Sequence, residues 1–150
     1  MQQHIMTALN LVKLCVGAET IDDLVARIEN RVRINKAAGV GSVHDHVTRM
    51  HPRRESELLG GGSIYWVIKG IVSARQPIIG FEKRTGTDGI QRTEILLDPA
   101  FVLTEPQPRR AFQGWRYLTA EDAPRDIKMG KRQKGMSPEL GRELAELGLL

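Results

Sequence analysis

The chain has 150 residues, of which 41% are hydrophobic and 27% charged, enough to bury one core without disulfides or metal. No apolar run approaches the roughly 20 residues that a spanning helix needs, Cys15 has no partner cysteine, and the N-terminus lacks the pattern of a secretory leader, so we expect a cytoplasmic protein. The net charge of +4 and a pI near 9.5 make nucleic acid or another polyanion the first partner class to test.

In chain order, Thr7 to Val16 is short, rich in Leu and Val and stopped by Gly17, the pattern of a buried strand. Thr20 is placed to cap a helix from Ile21 to about Ala37. Asp22 and Asp23 lie in its first turn, where the dipole favours anions, and Ile21, Leu24, Val25, Ile28 and Val32 share one face. Arg27, Arg31 and Lys36 then form a solvated outer row. SVHDHVTRM reads as a second strand. In the HPRR that follows, Pro52 suits a first helical turn, leading to a short helix over Glu55 to Leu59 and a glycine turn at Gly60 to Gly62. The run from Ser63 predicts two or three strands interrupted by Gly70, Pro77 and Gly80. TGTDGI, with Asp88-Gly89, is a hairpin turn, and QRTEILLD is the returning strand. AFVLT and FQGWRYL add two more strands, the latter with Trp115 and Tyr117 on one face, and TAEDAPRDI is a capped turn.

KMGKRQKGM has no apolar periodicity, so 128–136 reads as a basic flexible linker. Residues 137–150 read as an amphipathic helix capped by Ser137, with Leu140, Leu144 and Leu147 on one stripe. Residues 1–127 then form a single α+β domain: a curled, mostly antiparallel sheet or small barrel with flanking helices, in which Val67, Ile68 and Leu96 are buried.

Several chemistries are poorly served by the residues present. His44, His46 and His51 include a His-x-His pair that a strand would point to one face, but no CxxC or HExxH accompanies them and basic residues adjoin them, so we expect no metal. Cys15 lies in a buried strand, no GxSxG elbow occurs, and no Lys-Ser or Lys-Thr follows the triple glycine as a phosphate-binding loop requires. Asp22-Asp23 and Glu121-Asp122 sit at helix starts, where helix stabilisation accounts for them. No reaction and no cofactor are indicated.

Binding of RNA fits better, because cations alternate with aromatics. Arg49, Arg53 and Arg54 precede Tyr65 and Trp66, Lys69 and Arg75 follow, and Trp115-Arg116-Tyr117 adds a second cluster. Core packing is the bland account of Trp66 and Trp115. The expected anion surface is therefore Arg49, Arg53, Arg54, Lys69, Arg75 and Arg116 on phosphate, with Tyr65 or Tyr117 available for stacking. Arg53 and Arg54, at the start of the short helix, are expected to face solvent and hold a phosphate. Arg109 with Arg110, and Arg125 to Lys134, are further basic clusters. The alternatives are an enzyme on a nucleotide or nucleic acid, with His46 moving protons beside the arginines, and a protein-interaction subunit marked by a large apolar patch.

LVKLCVG, the HVTRM-x-P-R-R segment running into GGSIYWVIKG, ARQ, and FQGWRYLTAEDAP resemble a bacterial domain-of-unknown-function family, number 1489 in its series. The resemblance spans about residues 8–127 and leaves out the segment from Lys128 onward. It implies a small cytoplasmic bacterial protein and supplies no reaction. YWVIKGIVSAR, followed by glycine-broken strands, is also similar to the PUA and ASCH group of RNA-associated β-barrels, which implies an RNA-binding groove on a pseudo-barrel.

Overall fold

The computed structural model of the chain describes residues 8–127; the expected linker and terminal helix lie outside the described residues. The first strand, β1 (Leu9–Leu14), alternates strictly. Leu9 and Leu11 enter the main core with Cys15, just past the strand, whereas Val12 enters a second core on the other face. Thr20 Oγ1 accepts the Asp23 amide while the Asp23 carboxylate accepts the Thr20 amide, a capping box that starts α1 (Ile21–Ala37). The helix ends at Ala38, followed by Gly39 with φ +80°.

The remaining elements are β2 (His44–Thr48), the single turn α2 (Glu55–Leu58), β3 (Ser63–Ile68), β4 (Ile71–Thr85), β5 (Gln91–Leu97), β6 (Val102–Pro108) and β7 (Trp115–Thr119). They build the expected α+β fold around one seven-stranded sheet in the order β2-β5-β4-β3-β1-β7, with β6 on β4. Only β1 with β3 is parallel. The sheet does not close into a barrel, since β2 and β7 remain at opposite ends of that order. No helix among the described residues is long and apolar enough to cross a membrane.

Several local expectations change. Pro77 and Gly80 do not break the chain into separate strands: β4 runs through both. Pro77 lies opposite Ser63 at the end of the β3 register, where β4 passes from β3 to β5, and the register shift between Ile78 and Gly80 absorbs the change. The short helix starts at Glu55 rather than at Pro52. Arg54 has φ −93° and ψ 38°, outside the helical region, so the helix cannot extend backwards through it; its amide is satisfied by the Tyr117 hydroxyl instead. Leu96 is half-buried on the outer face, because its neighbours Ile95 and Leu97 point inward; Val67 and Ile68 are buried as expected.

Two close features fix the centre of the sheet. A Cβ on Gly62 would stand 2.1 Å from the Leu9 carbonyl oxygen and 2.6 Å from that of Leu58, so only glycine lets β1, α2 and β3 converge. Lys69 (φ 52°) and Gly70 (φ 79°) form the two-residue turn between β3 and β4, both with the left-handed backbone that such a tight hairpin requires.

Candidate anion-binding surfaces

The residues expected to bind phosphate divide into engaged and free. Arg54 makes two hydrogen bonds to Glu57, at 2.8 and 2.7 Å, and lies 5.4 Å from the centre of the Tyr117 ring. Tyr117 accepts the Arg54 amide at 3.1 Å, and Trp115 Nε1 donates to the Met50 carbonyl at 2.9 Å; the two rings meet edge to face. These aromatics clamp the 50–54 loop onto β7. Arg75 is likewise held, by two 2.8 Å bonds to Asp126 and one of 2.9 Å to Ser63 Oγ. Tyr65 is 7% exposed and packs in the second core, where burial raises its hydroxyl pKa. Arg49, Arg53, Lys69 and Arg116 are exposed and make no ion pair among the described residues.

Arg116 belongs to a groove of about 440 Å³ lined with it by Val12, Gln107, Arg109, Arg110 and Phe112, and no acid lines this groove. Arg116 lies over the Phe112 ring at 5.6 Å, and Arg109 Nε donates to Gln107 Oε1 at 3.1 Å. The Arg109 amide donates to the Gly70 carbonyl at 2.8 Å, which sets the Lys69 turn beside the groove. Elsewhere guanidinium groups meet carboxylates: Arg31 meets Asp45, Arg84 meets Glu94 and Glu82, and Arg92 meets Asp88. Arg31, expected on a solvated helix face, is thus an ion-pair partner, and the pair holds Asp45 below the usual carboxylate range. Burial and a hydrogen bond to Asp45 push Glu94 up. The doublet Arg109-Arg110 was visible in the sequence as a basic cluster; that it joins Arg116 in one groove was not.

The inner face carries a polar network. Gln76 Oε1 accepts from Trp66 Nε1 at 2.8 Å and from His44 Nδ1 at 3.2 Å, while Gln76 Nε2 donates to the Asp98 carbonyl. This places the His44 proton on Nδ1. His46 meets Trp66 edge to face, with ring centres 5.1 Å apart, and burial followed by the nearby charge of Lys13 lowers its pKa to about 3. Lys13 is 8% exposed, and burial lowers its pKa; burial also pushes the Cys15 thiol up, against the opposing pull of Arg27 and Lys13. His44 and His46 do share a face, but His51 turns to Thr93 and Glu55. Among the described residues no three His, Cys, Asp or Glu side chains gather to hold a metal.

A family model described as "Protein of unknown function (DUF1489)" matches residues 11–150. The chain belongs to this family. The match runs through the segment from Lys128 onward, beyond the span of the sequence resemblance. No curated protein and no solved structure matches the chain.

Proposed function

We propose that the protein binds RNA along the β7 edge of its sheet, with Arg109, Arg110 and Arg116 holding successive phosphates. The observation that carries this reading is a groove with three guanidinium groups and no lining acid, in a molecule where five other arginines are ion-paired. Phosphate oxygens are the partners such donors lack. β7 ends the strand order. The groove on one of its faces and the loop carrying Arg49 and Arg53, clamped to Trp115 and Tyr117 on the other, therefore border the same edge. Lys69 extends the basic surface beyond Arg109.

Binding is favoured over phosphate chemistry because His46 stands on the inner face with Trp66, whereas Arg116 pairs with Val12 on the opposite face of β1. Filter binding to bulk bacterial RNA at two ionic strengths tests the proposal. Each phosphate neutralised on a single strand contributes about 0.7 to the salt slope, so replacing Arg109, Arg110 and Arg116 with Ala should lower that slope by about 2 and weaken binding at low salt. Binding by the triple variant with an unchanged slope refutes the assignment.

A further inference from the structure

A second cavity, of about 590 Å³, opens on the outer face of the sheet, where Tyr65 packs with Val12. It is lined by Asn10 of β1, Ser63 and Tyr65 of β3, Arg75 of β4 and the segment that follows β7 as far as Asp126. That segment is pinned to β6 by a bridge between Thr104 and Asp126 and by the Glu105 amide, which donates to the Arg125 carbonyl at 2.8 Å. The volume falls within the range of small-molecule sites, about 300–1,000 Å³. The cavity shares no lining residue with the arginine groove.

Asn10 and Tyr65 are only 6% and 7% exposed, yet each carries a donor that meets no protein group among the described residues. Asn10 Oδ1 accepts the Ser63 amide at 2.9 Å, which leaves Nδ2 without an acceptor; the Tyr65 hydroxyl makes no hydrogen bond to protein. Neither atom is shut off from solvent, so both donors are presented to the cavity that their side chains line. The acceptors are in the opposite condition. Ser63 Oγ accepts from Arg75 at 2.9 Å, and both Asp126 oxygens accept from Arg75 at 2.8 Å. Apart from the Tyr65 hydroxyl, the side-chain acceptors of the lining are therefore paired. Charge is unequal too: Asp126 balances Arg75, which leaves Arg125, without an ion pair among the described residues, as the unbalanced charge of the lining. Ala8, Ala120, Ala123 and Pro124 supply an apolar wall.

We propose that this cavity binds a small organic monocarboxylate, whose oxygens accept from Asn10 Nδ2 and the Tyr65 hydroxyl, with Arg125 balancing its charge and the alanine and proline wall receiving its apolar body. An ionised carboxylate is all acceptor and carries one negative charge, so it matches the lining on both counts. The Watson–Crick edge of a nucleobase mixes donors with acceptors and fits the same donors less well.

The test is calorimetric titration of the full chain with butyrate and benzoate, each beside its neutral amide, butyramide and benzamide, and with uridine. Nitrogen-15 spectra that resolve the Asn10 side-chain NH2 accompany it. At least one carboxylate should saturate, move the Asn10 NH2 resonances, and bind at least about tenfold more tightly than its amide. Tyr65→Phe removes a hydroxyl that holds nothing in the protein, so the fold should persist while the carboxylate binds about tenfold more weakly. Arg125→Gln should narrow the gap between carboxylate and amide. Saturation by neither carboxylate, an amide or uridine that binds as tightly, affinity indifferent to Tyr65→Phe, or a gap unchanged in Arg125→Gln overturns the proposal. The spectra need no substitution: even if a variant fails to fold, a carboxylate that saturates the parent chain without moving the Asn10 signal overturns it.

Discussion

Around Gln76, on the inner face of the sheet, polar groups are held by one another and away from water: Gln76 joins Trp66, His44 and the Asp98 carbonyl. On the outer face the charges stay at the rim, where Arg75 meets a half-exposed Asp126 and the groove arginines meet solvent. Similar polar chemistry thus has different consequences on the two sides. Inside, removing one partner strands the others in a dry environment; outside, water replaces whatever is removed.

The sharpest way to break this contrast is Gln76→Leu. It leaves two buried donors and a carbonyl unsatisfied, and at about 1 kcal/mol or more for each the loss should reach about 3 kcal/mol in urea unfolding. A loss no larger than that of an outer-face substitution would erase the distinction. His46→Gln should change the acid limb of stability. Folded His46 titrates near 3 whereas its ordinary value is 6.5, so the unfolded chain takes the proton first and the wild type loses stability as pH falls through that window. The variant should lose less, as urea melts on either side of the window will read. Arg75→Ala comes third, at about 1 kcal/mol, because its bidentate partner is partly solvated. Smallest is the Arg109/Arg110/Arg116 to Ala variant, whose stability should stay within about 0.5 kcal/mol of the parent while RNA affinity falls. Thermal unfolding of the triple variant checks that separation.

Local rules carried much of the fold. Thr20 with Asp23, the Leu-Val run of β1 and the Asp88-Gly89 turn are each decided within a few residues, and each forms where its pattern predicts. The β4 strand was missed as a unit because Pro77 and Gly80 break a ladder only if the ladder needs a donor there, and that depends on where β3 hands over to β5. The anion surface was legible as composition but not as availability. Arg75 and Asp126 are 51 residues apart, and nothing near Arg75 in the sequence announces its partner. Arg54 is instructive in the other direction, since Glu57 stands three residues away at helical spacing. Lys13 also had a readable signal: in a strand whose odd positions Leu9 and Leu11 face the core, period two sends Lys13 the same way.

The length of β4 has a mechanical consequence. Its first half is laced between β3 and β6, and its second half carries β5 and, through β5, β2. One continuous backbone is therefore the beam from which both wings of the sheet hang. Neither wing can peel away by local fraying without loosening a strand that the other shares. Amide protons at Ala74 and Phe81, on opposite sides of the hand-over at Pro77, should accordingly exchange with deuterium in step, through a single opening of the whole sheet.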